Sequence, residues 1–221
     1  MINMVASVDG ATVVDGRSGR LGGPGDRQVF RALRGVADMI LVGAGTVRAE
    51  DYQPPRTPDD RMAVVRATAG RSARPRLVVV SGRLDLDPMA PLFAERLPAD
   101  QPPLVATVRS APADRRAALK PVADLIALGE TRVDLTGLLA TLGDLGARTV
   151  LCEGGPDLNH QLLAAGLADE LCLTISPMLV GGAGATSRGL LDGAPFAVPS
   201  GLRLDQVSTH QGFLFCRYLI A

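Results

Sequence analysis

The residues Thr149–Ala165, TVLCEGGPDLNHQLLAA, constrain the fold of this chain more than any other stretch. Thr149-Val150-Leu151-Cys152 is a short apolar run with β-branched members, which suits a strand buried on both faces. Glu153-Gly154-Gly155 interrupts it, and Pro156-Asp157 opens a helix whose apolar positions are Leu158, Leu162 and Leu163. Proline fits the first helical position, and an acid in the first turn complements the positive end of the helix dipole. Strand, glycine pair and helix N-terminus in that order leave backbone N–H groups accessible to a phosphate. A glycine pair alone fits an ordinary tight βα turn equally well. Glu153, an acid at a strand end beside a glycine gap, is what argues for a ligand.

The rest of the chain repeats this alternation. Apolar runs at 2–7, 39–42, 77–80, 104–107, 125–128 and 171–175 predict strands, and helical spacing predicts helices over 25–36, 113–120 and 135–145. The segment 11–25, rich in glycine, and the Pro- and Arg-rich segment 52–73 read as loops. Leu179-Val180 leads into Gly181-Gly182-Ala183-Gly184, and two alternating segments, 202–209 and 213–220, flank Gln211-Gly212 as a hairpin. Strands alternating with helices and ending in a hairpin imply an α/β fold, mainly parallel with an antiparallel edge. With no repeat, linker or composition break, the 221 residues are expected to form one domain over 1–221.

Composition narrows the function. The chain is 47% hydrophobic with a net charge of zero and no basic cluster, which argues against nucleic acid or an anionic membrane as partner. No apolar run reaches the roughly 18–20 residues that span a bilayer, and MINMVASVDG carries no basic leader region. Cys152, Cys172 and Cys216 are widely spaced in apolar runs and read as reduced, buried strand cysteines of a cytoplasmic protein. Lys120 is the only lysine and sits in a helical surface context, which argues against Schiff-base chemistry. His160 and His210 lack neighbours at metal-ligand spacing, so no metal site is expected. Ser7-x-Asp9 has no accompanying histidine, so a hydrolase triad is not supported.

In an open α/β sheet, ligands bind beyond the carboxyl ends of strands. Three such ends carry ligand-type residues: Gly43-Ala44-Gly45-Thr46-Val47-Arg48, Ser81-Gly82-Arg83 and Glu153–Pro156. The first offers backbone access, a hydroxyl at Thr46 to cap the helix or meet a phosphate, and Arg48 close by. It is not the dinucleotide fingerprint, because the third glycine and the acid about 20 residues on are missing. Two helix N-termini would suit a pyrophosphate. Arg48 or Arg83 would suit a 2′-phosphate and so favour NADPH over NADH, although either also reads as a solvated surface arginine.

These residues carry a resemblance. Asn3–Gly10 (NMVASVDG), Leu33-Arg34, Ala37–Gly43 (ADMILVG) and Thr46–Asp51 (TVRAED), followed by Glu153–Pro156, Leu167–Leu171 and Ile175-Ser176-Pro177, are similar in kind and order to the reductase family of riboflavin biosynthesis. The resemblance covers nearly the whole chain. It implies the dihydrofolate-reductase-like fold, three layers α/β/α around a mostly parallel mixed sheet. It also implies NADPH-dependent reduction of the ribosyl group of 5-amino-6-(5-phosphoribosylamino)uracil phosphate to ribityl. Bifunctional relatives carry a zinc deaminase domain before the reductase; this chain has neither its motifs nor room for it.

Carried over residue by residue, the resemblance implies cofactor contacts at Gly43, Gly45, Thr46, Ser81, Gly154, Gly155 and Pro156, to which the strand-end reading adds Arg48 and Arg83. Substrate contacts fall at Ser7, Asp9, Ser18, Arg34, Arg56 and Glu153, with Asp9 and Glu153 assigned to the chemical step. Asn3 stands where bifunctional members often have lysine; it binds substrate but supplies no charge. That departure leaves the proton donor open.

Two other readings stand beside this one. The same fold reduces folates or other small C=N or C=O compounds, in some cases with a deazaflavin; here the first long helix offers Asp26 followed by Arg27, Arg31 and Arg34, a set better suited to a phosphate. A nucleotide-binding protein without catalysis is the third reading, motivated by Asn3 and the weakness of each glycine turn. A homodimer is expected, with Phe213–Ile220 as an apolar strand left at a sheet edge.

Overall fold

The computed structural model describes residues 1–56, 58–181 and 189–221, so Gly182, Ala183 and Gly184 lie outside the described residues. The chain divides into two compact units, Ala32–Leu151 and Met1–Arg31 with Cys152–Ala221. The fold is mixed α/β, mostly parallel, with antiparallel C-terminal strands.

In the unit Ala32–Leu151, β2 (Met39–Gly43), β3 (Arg76–Val80), β4 (Leu104–Thr107) and β5 (Asp124–Ala127) pair side by side in parallel. Parallel strands covered on both faces read as continuous apolar runs. Accordingly Ile40, Val42, Val78, Val79, Val105 and Ala106 are inaccessible to solvent. Tyr52, Leu84, Leu92, Phe93, Leu119 and Ala123 close the core around them. Each such aliphatic side chain contributes about 1.5–3 kcal/mol on burial.

The segment 52–73, expected to be loop, contains a helix, α3 (Asp60–Thr68), after the short α2 (Ala44–Ala49). Asp59 caps it by accepting the Met62 N–H at 2.9 Å. Its Arg66 is buried, and that guanidinium donates to the carbonyls of Gly35, Ala37 and Ser72 at 2.9, 2.7 and 2.8 Å. The Gly35 and Ala37 carbonyls, at the end of α1 (Pro24–Val36), have no intrahelical partner, and Arg66 supplies one. The arginine that made the segment read as surface is thus what fixes it inside.

The remaining helices of this unit are α4 (Pro91–Ala94), α5 (Ala113–Leu119) and α6 (Leu135–Asp144), and the chain leaves it in β6 (Val150–Cys152). Asp38 ties the start of β2 to the residues before β6, accepting from the N–H groups of Arg148 and Thr149 at 2.9 and 2.8 Å and from Arg71 at 2.8 Å. Burial alone would raise its pKa, but these donors outweigh it and hold it below the usual carboxylate range.

In the other unit, β1 (Ile2–Ser7) pairs in parallel with β7 (Glu170–Ser176), from Ile2 opposite Leu171 to Ser7 opposite Ser176. β7 then pairs antiparallel with β9 (Phe213–Ile220), and β9 with β8 (Leu202–His210). Gln211 and Gly212 have φ of 51° and 81°, the two left-handed residues a tight hairpin demands. This turn folds β8 onto the open side of β9, so β9 is interior and β8 is the edge. The expectation of β9 as an edge strand is corrected accordingly. α7 (Pro156–Ala164) follows β6, burying Leu158 and Leu162 as the spacing predicts.

Gly23 and Gly25 let the start of α1 approach β9. A Cβ at Gly23 would lie 2.7 Å from the Phe213 ring, and one at Gly25 3.0 Å from that of Phe215. This contact sets the first turn of α1, and with it Asp26, over the strands.

Candidate active site

Of the residues expected at the cofactor, Gly43, Gly45, Thr46, Arg48, Ser81 and Arg83 fall in Ala32–Leu151, whereas Gly154, Gly155 and Pro156 fall in the other unit. Gly43 ends β2 and is the N-cap of α2, so Thr46 is inside the helix, not its cap as the sequence suggested; the helix begins directly from the strand with no linker residue. Gly43 is paired with Val80, which places Ser81-Gly82-Arg83 at the adjoining strand end. Ser81 is buried and donates its N–H to Ala106 O at 2.9 Å.

Gly45 and Gly82 have nothing within 4 Å of an added Cβ, and neither has a positive φ. Neither packing within the chain nor backbone conformation demands glycine there. Both positions leave bare backbone open to something from outside.

The two arginines differ. Arg48 donates to Asp85 O at 2.8 Å and lies 3.6 Å from the Asp85 carboxylate, so part of its capacity is spent within the chain. Arg83 is exposed, with its carbonyl held by Arg115 at 3.1 Å. Arg34 donates to the Tyr52 hydroxyl at 2.8 Å with its guanidinium 5.5 Å from the ring centroid. That contact holds the planar guanidinium against the Tyr52 ring. Arg56 is exposed.

In the other unit, the polar residues expected to bind substrate gather on β1 and its neighbours. Side chains two apart share a face, and parallel partners share it too, so Asn3, Val5, Ser7, Cys172, Thr174 and Ser176 form one surface. Asn3 lies about 13 Å from Ser7 along the strand, at its opposite end. Cys152 pairs with Ile2, so Glu153 leaves β6 level with Asn3.

The Glu153 turn continues through Gly154, whose φ of 88° favours glycine, and a Gly154–Gly155 peptide that is cis. Gly155 is the N-cap of α7, without a side-chain cap, and Pro156 is in its first turn. Asn159, buried, braces the turn, accepting from Cys152 Sγ at 3.4 Å and donating to Leu190 O at 3.4 Å. Burial pushes the Cys152 thiol up to about 12, so it stays protonated and unreactive.

Ser7 and Asp9 are engaged with the chain itself. The Ser7 hydroxyl donates to Asp9 at 2.5 Å and accepts the Ala11 N–H at 2.9 Å. Asp9 also accepts from the N–H groups of Val180 and Gly181, at 3.2 and 2.7 Å. The Ser7 hydroxyl first, then these backbone donors, lower its pKa to about 2. It is a carboxylate at neutral pH and no proton donor. Ser18 sits half-buried before α1, its carbonyl accepting from Leu21 N at 2.9 Å.

Residues 1–212 match the family described as the RibD C-terminal domain. The chain belongs to this family. Its RibD C-terminal domain is 34% identical over 193 residues to the 2,5-diamino-6-ribosylamino-4(3H)-pyrimidinone 5′-phosphate reductase of Methanothermobacter thermautotrophicus, covering 87% of this chain and 83% of the relative. It is 34% identical to the protein of the same description from Archaeoglobus fulgidus, over 82% and 81% of the two chains. Among solved structures it resembles a pyrimidine reductase-like protein from Corynebacterium diphtheriae, with a TM-score of 0.88, 28% identity, and 100% and 90% coverage. Acinetobacter baumannii RibD, at 21% identity, shares the fold with a TM-score of 0.75 over 57% of its length.

Sequence reading of this RibD C-terminal domain missed Tyr52, Asp85 and Asn159, which hold Arg34, Arg48 and the Glu153 turn. Each acts through a partner distant in sequence, so no local pattern marks it; only the N-x-x-x spacing of α7 places Asn159 one turn after Gly155.

Proposed function

We propose that this chain is an NADPH-dependent reductase that converts the ribosylamino group of a 6-ribosylamino-pyrimidine 5′-phosphate to ribitylamino. The names of its relatives supply the substrate class. What carries the cofactor assignment is the pair of open glycines, Gly45 in the first turn of α2 and Gly82 just past the end of the adjoining β3, beside Thr46, Ser81 and the exposed Arg83. Backbone amides there accept a phosphate closely, and Arg83 supplies a charge for a 2′-phosphate.

The bound dinucleotide supplies a hydride. The residues of this chain do the rest. Arg34, held by Tyr52, grips the substrate phosphate with Arg56. Asn3 and Glu153 hold hydroxyls and N–H groups of the ribosylamine; its C1′–O4′ bond breaks as the N–H proton passes to the ring oxygen, and the resulting imine accepts the hydride at C1′ and a proton at nitrogen. Ser7 and Asp9, at the other end of β1, hold the Val180–Gly181 backbone. Positioning supplies most of the acceleration, with the proton delivered through water. With its three cysteines unpaired, the enzyme suits the reducing cytoplasm.

Titrating NADPH and NADH into the wild type and Arg83→Ala tests the cofactor assignment. NADPH is expected to bind more tightly, and the variant to lose roughly ten- to a hundredfold of that preference, about 1.5–3 kcal/mol. Equal wild-type affinities reject the selectivity. An unchanged preference in the variant rejects Arg83 as its source.

A further inference from the structure

Asp26 belongs to no part of the site described so far, and three observations single it out. It stands in the first turn of α1, where the helix dipole favours the charged form, yet burial raises its carboxyl above the usual range while the Thr174 hydroxyl donates to it. Gly22 makes room for the carboxylate, which packs where its side chain would be: a Cβ there would lie 2.7 Å from Asp26 Oδ2. Two residues along the same face of β7 from Thr174, the Ser176 hydroxyl is fully buried and has no partner among the described residues.

An orphaned buried hydroxyl on the same strand face as the Thr174 that holds a partly desolvated carboxylate is an expensive arrangement in the free protein. It becomes satisfied when a ligand brings hydrogen-bond donors to the carboxylate and a partner to the hydroxyl. Thr174 pairs with Val5 in register, midway between Asn3 and Ser7, so this spot adjoins the surface already assigned to substrate.

We infer that Asp26, oriented by Thr174, reads the pyrimidine edge of the substrate and selects the 2-amino form over the 2-oxo form. The inference rests on the reductase reading above. A 2,5-diamino-4(3H)-pyrimidinone presents two parallel donors, the 2-amino group and N3–H, which match the two oxygens of one carboxylate. The corresponding uracil presents N3–H beside the C2 carbonyl, and that oxygen meets a carboxylate oxygen with no proton between them. Ser176 completes the site as a second, neutral contact. Specificity of this kind comes from a repulsive element as much as from an attractive one.

The test compares 2,5-diamino-6-ribosylamino-4(3H)-pyrimidinone 5′-phosphate with 5-amino-6-(5-phosphoribosylamino)uracil, by kcat/KM with NADPH and by calorimetric binding. The wild type is expected to favour the diamino compound by roughly ten- to a hundredfold, the size of one charge-assisted hydrogen-bond pair. Asp26→Asn, which can donate to the C2 carbonyl, should level or reverse that preference while NADPH affinity stays at the wild-type value. Thr174→Val should reduce the preference in the same direction, and it takes the place of Asp26→Asn should that variant fail to fold. A wild type indifferent between the two compounds overturns the inference, as does either folded variant that keeps the full preference. Binding of both compounds with the expected preference but no turnover of either contradicts the reductase reading and leaves Asp26 as the discriminator. Binding of neither overturns both.

Discussion

Asp9 shows how a residue legible in the sequence acquires a role that the sequence does not display. Its place after the first strand marks it as polar and strand-terminal, but its partners Val180 and Gly181 are far along the chain. The carboxylate staples that segment to the end of β1. Its folded pKa, about 2, lies below the unfolded value near 3.9, so its stabilising effect is complete above pH 4 and is lost as pH falls toward 2. Asp9→Asn is therefore expected to be less stable than wild type at neutral pH, with the two denaturation midpoints converging by pH 2. Parallel curves across that range would show that Asp9 bears no such load. The pairings Arg48–Asp85, Arg34–Tyr52 and Asp26–Thr174 were illegible for the same reason: the sequence names donors and acceptors, and the tertiary fold chooses which of them meet.

At the level of elements, α3 is the case where composition misled. Arginine and proline density over 52–73 reads as solvated loop, while the Asp59-Asp60 cap signal is short and easily outweighed. The helix exists because Arg66 satisfies carbonyls at the end of α1. Arg66→Ala is expected to lower stability by about 2–4 kcal/mol, since it leaves several buried acceptors unpaired. Arg66→Lys, retaining a charge but not the planar fork, should fall between. Denaturant midpoints for the three proteins measure this, and an Arg66→Ala midpoint equal to wild type would contradict the assigned role. The strands and the longer helices were legible to within a residue or two, because buried parallel strands are unbroken apolar runs and their helices alternate with them, whereas the single turn of α4 carries no pattern that marks it. The hairpin was legible from Gln211-Gly212, although which of its strands becomes the edge depends on where β9 docks.

At the scale of the whole molecule, that edge has a consequence. β8 is exposed along its length, with Leu202, Leu204 and Val207 each 46–51% accessible. A long exposed edge that carries these apolar side chains invites pairing with another strand, and a second copy of this chain is the proposed occupant. Light scattering at micromolar concentration should give a dimer mass for the wild type and a monomer mass for Leu204→Asp/Val207→Asp; a monomeric wild type would remove the proposal. The purified protein is mixed with NADPH and 2,5-diamino-6-ribosylamino-4(3H)-pyrimidinone 5′-phosphate, and NADPH absorbance is followed alongside mass spectrometry of the pyrimidine. The account predicts equimolar loss of NADPH and appearance of the ribitylamino product, heavier than the substrate by two hydrogens. Binding of both compounds without any such product, or turnover with a reduced deazaflavin and none with NADPH, would contradict it.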